Sequence, residues 1–88
     1  MSGTRLTIVI PASQKDVANQ WMKLEVDKEG GGGTFTSPYT DGVDTYYVAS
    51  GQWSEQQAAD LIAHFGEDAC EGDPQEVLNG LSLTPFFA

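Results

Sequence analysis

The sequence predicts a small α+β domain with the element order β-α-β-β-α-β. Three observations carry that expectation: an apolar β-branched run near the start, a well-capped amphipathic helix in the second half, and two proline-bearing extended segments that fall second and fourth among the strands. Proline cannot donate to a ladder, so its two segments belong on sheet edges and the other two strands belong inside. The arrangement that follows is a split-βαβ, ferredoxin-like domain: an antiparallel-rich four-stranded sheet with two helices on one face. At 88 residues the chain reads as a single domain, 1–88. A domain of this size buries about 60–65% of its unfolded surface, which leaves room for a small core.

The first strand is Thr4 to Ile10, T-R-L-T-I-V-I, almost wholly apolar from Leu6 onward and stopped by Pro11. Such a run reads as buried on both faces. Ser13 and Asp16 have capping-box spacing before a helix whose apolar positions are Val17, Trp21 and Leu24, and the helix is expected to reach about Asp27. Gly30 to Gly33 cannot hold regular structure cheaply and read as a connection within the domain. The second strand is Thr34 to Tyr39, containing Pro38; Asp41-Gly42 marks a turn, and Asp44 to Ser50 is the third strand.

The second helix is marked at both ends. Ser54 caps it, Gln57 holds the capping-box position, Trp53 can staple onto Ala58, and Gly66 ends it after the stripe Ala58, Leu61, Ile62, Phe65. The last apolar segment, Val77 to Phe87, reads as an edge strand because of Pro85. Its alternative is a short helix over Gln75 to Asn79 followed by an extended tail.

Charge is distributed by region. The first 28 residues hold all four bases, Arg5, Lys15, Lys23 and Lys28, against three acids. Beyond Lys28 there are ten carboxylates and no lysine or arginine, so the balance is +1 followed by −10, for a net charge of −9. A field of one sign repels nucleic acid and anionic membrane and attracts basic protein surfaces. The expected partner is therefore a basic protein surface of the kind that binds nucleic acid, with no direct nucleic-acid binding and no membrane contact. The carboxylates singled out for that contact are Asp60, Glu67, Asp68, Glu71, Asp73 and Glu76. Glu67 and Asp68 follow the C-terminal end of the second helix, where the macrodipole disfavours negative charge, and seven-residue spacing would place Asp60 and Glu67 on one side.

Catalytic and metal chemistry find little support. The acidic stretch Glu67 to Glu76 lacks the Asp-x-Asp-x-Asp-Gly spacing of a calcium loop, and Asp41 with Asp44 is explained by turn chemistry. One histidine and one cysteine cannot build a four-ligand zinc site, and the acids around Cys70 disfavour a thiolate paired with His64. Gly33 leads into Thr34-Phe35-Thr36 rather than Gly-Lys-Ser/Thr, so the glycines make no phosphate loop. No catalytic residue, metal or cofactor is expected, and the chain reads as non-enzymatic. The single cysteine and the absence of a signal-peptide pattern point to the cytoplasm.

In size, acidity and element order, carried by Leu6 to Ile10 and the Ser54-to-Phe65 helix, the chain resembles small bacteriophage-encoded accessory proteins, anti-CRISPR inhibitors among them. The resemblance implies an inhibitor that engages a CRISPR effector complex in a bacterial host by mimicking nucleic-acid charge. The alternative is a phage structural or assembly protein that forms a homodimer through its sheet.

Overall fold

The apolar run at the start becomes the strand around which the molecule is built. A computed structural model of the chain describes residues 3–29 and 35–86. β1, Thr4–Pro11, pairs antiparallel with β3, Thr45–Trp53, on one side and with β4, Ala69–Glu71, on the other. β2, Ser37–Thr40, lies outside β3, and β5, Thr84–Pro85, lies outside β2, so the sheet runs β4-β1-β3-β2-β5 with every neighbour antiparallel. The helices are α1, Lys15–Glu29, α2, Glu55–Phe65, and α3, Pro74–Gly80.

Both faces of β1 are covered. Leu6, Ile8 and Ile10 point to one side and meet Ala18 and Met22 of α1, Ala58 and Leu61 of α2, and Ala49 and Trp53 of β3. Val9 points to the other side, where Val48, Leu78 and Leu83 close a smaller core with Tyr39, Tyr46 and Val77 against it. The register fixes this partition, since Ile8 lies opposite Ala49 and Val9 opposite Val48. Thr7, also fully buried on the second side, donates its hydroxyl to the Gly72 carbonyl (3.1 Å), and the Gly72 amide returns a bond to the Arg5 carbonyl (3.0 Å). Gly72 has φ +129°, a backbone conformation that side chains with a Cβ strain to adopt.

Local signals for α2 translate directly into contacts. Ser54 accepts a hydrogen bond from the Gln57 amide (3.2 Å), Trp53 and Ala58 share the larger core, and Gly66 at φ +60° ends the helix. Gln57 does not complete a capping box. Its side chain is buried and donates to the Glu25 carbonyl (2.9 Å), linking the two helices.

The phase of α1 differs from the expected one. Val17 and Leu24 are exposed, Trp21 is half-buried, and Ala18, Met22 and Glu25 face inward. Both sets have helical spacing and differ by one residue, about 100° of rotation. The small Ala18 lies against the sheet, and Trp21 remains at the margin, stacked on His64 (centroids 4.0 Å apart, planes 7°) and edge-on to Phe65 (5.4 Å). Ser13 is not the cap of α1 either, because it lies within a 3-10 turn, Ala12–Gln14, that precedes the helix.

Three further expectations are corrected. Among the described residues the sheet has five strands rather than four, and the α-helices number three: α1 and α2 share one face as expected, and α3 is added on the opposite face. The fourth strand is the short Ala69–Glu71 inside the acidic stretch, while the final segment takes its alternative form, a helix followed by a two-residue strand. Pro38 is not on an edge strand, since β5 covers β2. Its carbonyl accepts from the Phe86 amide (3.1 Å), and in extended backbone the N and O of one residue point the same way, so its missing donor faces β5 and spares the β2–β3 ladder. Pro85 does lie on the edge. The glycine stretch, Gly30 to Gly33, and Thr34 lie outside the described residues.

Candidate acidic interface

Five of the six singled-out carboxylates lie along the chain that leaves α2, forms β4 and enters α3, and that chain divides them between environments. Glu67 and Asp68 occupy a 3-10 turn, Gly66–Asp68. Because Gly66 turns the backbone there, they do not continue the surface of α2, and the expected alignment of Glu67 with Asp60 is lost; Asp60 remains half-buried on the helix. Glu71 lies opposite Leu6, which directs it to the face of α1 and α2, whereas Cys70 lies opposite Thr7 and points to the other face.

Asp73 and Glu76 have structural neighbours that account for them. Asp73 holds the N-cap position of α3 and Glu76 lies in its first turn, where the helix dipole favours negative charge. Asp73 also meets Arg5 (3.7 Å), with side chains 61% and 49% exposed. An exposed pair of this kind contributes about 0–1 kcal/mol.

Glu67 and Asp68 instead border a cavity of about 220 Å³ on the α3 side of the sheet. Its apolar surface comes from Val9, Leu81 and Leu83, its aromatic wall from Tyr46, and Cys70 also contributes. The third acidic residue at this cavity is Asp41, which the sequence presents only as a turn residue. The turn explains its rigidity: the Asp41 carboxylate accepts from the amides of Val43 (2.9 Å) and Asp44 (2.8 Å), and Thr40 closes the same turn by donating to the Asp44 carbonyl (2.8 Å). The Tyr46 hydroxyl donates to the other Asp41 oxygen (3.4 Å).

The groups around the cavity titrate in different directions. The amide bonds from Asp44 and Val43 hold Asp41 below the usual aspartate value. The Asp41 charge pushes the Tyr46 phenol up. Partial burial, and then the neighbouring Glu67 charge, raises Asp68. No basic side chain is among the described residues lining the cavity.

Other chemistries are not assembled. Among the described residues no group of three or more His, Cys, Asp or Glu side chains converges to hold a metal ion. Cys70 faces the cavity with its thiol near the Glu67 carbonyl (3.8 Å), while His64 stacks on Trp21 beside the larger core, so the two do not form a nucleophile and base pair. Among the described residues no helix is long and apolar enough to cross a membrane. No protein-family model, curated protein or solved structure matches this chain.

Proposed function

We propose that this protein is a non-enzymatic acidic regulator that occupies a basic, nucleic-acid-binding surface of a protein partner, its carboxylates standing in for phosphates. The observation that carries this reading is the charge distribution: ten carboxylates and no lysine or arginine beyond Lys28, with Glu67, Asp68, Glu71 and Glu76 exposed around β4 and the start of α3. An inhibitor of a CRISPR effector complex is the specific form suggested by the phage-protein resemblance. The fold is read with it as a split-βαβ arrangement extended by α3 and β5, supported by the interior position of β1 and β3. Self-association through the sheet is the weaker reading, since helices cover both faces and the outermost strands have three and two residues.

The test is competition. Proteins retained from a bacterial lysate by the immobilised chain are challenged with DNA or RNA and with rising salt, and retention is compared with a variant carrying Asp60→Asn, Glu67→Gln, Asp68→Asn, Glu71→Gln and Glu76→Gln. Asp73 is left in place because it pairs with Arg5. Nucleic acid and salt should release the partner, and the variant should fold but fail to retain it. Equal retention by the folded variant, or a partner that holds nucleic acid and this chain together, would count against charge mimicry.

A further inference from the structure

We propose that the cavity between the β2–β3 turn and the Gly66–Asp68 turn is a socket for one arginine side chain of the basic partner, a deepening that rests on the regulator reading given above. At about 220 Å³ the cavity is smaller than the roughly 300–1,000 Å³ of sites for drug-sized ligands and suits a single side chain. Val9, Leu81 and Leu83 offer apolar surface to an aliphatic stem, and Tyr46 adds an aromatic ring to the wall beside which a planar cation would lie.

The acidic residues supply the charge complement. Asp41 comes from the hairpin turn and Glu67 and Asp68 from the turn after α2, so carboxylates approach from two separate segments. A guanidinium presents five donors in a fixed fork and can meet carboxylates on more than one side, which a compact ammonium does less well. The Asp41 carboxylate is already oriented by two backbone amides and the Tyr46 hydroxyl, so little ordering is left for binding. An anionic occupant would be repelled by Glu67 and Asp68, and a neutral one would gain no attraction from them.

The chain carries its own reporter, because its single cysteine lines the cavity. Nα-acetyl-argininamide is titrated into the full chain while backbone amide shifts and the alkylation rate of Cys70 by iodoacetamide are followed. Nα-acetyl-norvalinamide, which has the stem without the charge, is the control. The arginine probe should give saturable shifts at Val9, Asp68, Cys70 and Leu83 and slow the alkylation, and norvalinamide should do neither. Asp68→Asn, at an exposed turn, should weaken the response roughly two- to fivefold, the range of one exposed ion pair. Shifts scattered over Glu71, Glu76 and the other acids, with Cys70 unprotected, would overturn the socket while leaving the acidic-regulator reading standing. Loss of competition in the lysate experiment, with the arginine probe still seated at Cys70, would overturn that reading and leave only a guanidinium site.

Discussion

Asp41 and Asp68 carry the same carboxyl group at one cavity, and their surroundings move them in opposite directions. Asp41 is lowered, so its contribution to stability is present above the usual aspartate range and is lost as pH falls through its folded value. Asp68 is raised, so the folded state takes up its proton more readily than the unfolded chain, and the cost of ionising it is complete at neutral pH. Asp68→Asn should therefore stabilise the fold at pH 7 by about a few tenths of a kcal/mol, a small amount because the residue is exposed, and the accompanying rise in melting temperature should vanish in acid. A gain that persists when the carboxylate is protonated would show that charge is not its source. Asn19 poses a different test. Its side-chain amide donates to the Phe35 carbonyl (3.0 Å) and its oxygen accepts from the Phe35 amide (2.8 Å), so it holds the fully buried Phe35 as a neighbouring strand would. Asn19→Ala should cost about 1–3 kcal/mol in denaturant unfolding, and Asn19→Asp should also destabilise because a carboxylate oxygen would face the Phe35 carbonyl.

The elements divide according to whether their signals are local. The second helix is legible because a cap, a staple and a stop lie within thirteen or so residues of one another, and each acts on backbone next to it. The phase of α1 is not legible, because Val17-Trp21-Leu24 and Ala18-Met22-Glu25 both satisfy helical spacing and only the sheet distinguishes them. Met22→Ala should accordingly cost about 2–5 kcal/mol, while Val17→Ser and Leu24→Ser should each stay within about 0.5 kcal/mol. Chemical denaturation of the three variants checks the phase, and the reverse ranking would refute it. β4 is hidden for a related reason: three residues, Ala69 to Glu71, become a strand through pairing with Leu6 to Ile8, a contact made across more than sixty residues. Pro38 and Pro85 point to β1 and β3 as interior strands, but neither proline carries a signal that a two-residue strand covers β2.

At the scale of the molecule, one sign of charge dominates the chain beyond Lys28. Like charges repel in the compact state, so sodium chloride should raise the melting temperature at neutral pH by screening them. A salt-induced decrease would mean that the carboxylates are already matched by attractive pairs, of which Arg5 with Asp73 is one. The acidic stretch was legible as charge, but its division was not. Glu67 and Asp68 border the same cavity as Asp41 of the hairpin turn, Glu71 takes the other face, and Asp73 and Glu76 lie at the start of a helix. Charge counts lie on the surface of a sequence; which carboxylates share a cavity depends on strand pairing.

The smaller core also has a consequence for motion. From residue 74 to residue 86 the chain buries only Leu78 and Leu83, and its ladder is the two-residue β5, whereas β1 and β3 bind the larger core to both longer helices. Cooperative opening follows buried contact, so the α3–β5 segment is expected to behave as a separate unfolding unit that detaches before the rest of the molecule. Hydrogen exchange should release the amides of Leu81 and Leu83 well before those of Ile8 and Ala49, and equal rates would show a single unit. Leu81 and Leu83 are also part of the cavity wall, so the cavity exists only while that unit is docked. An occupant that needs this wall would therefore draw on the opening equilibrium of the segment, and occupancy would be recorded as protection at its amides.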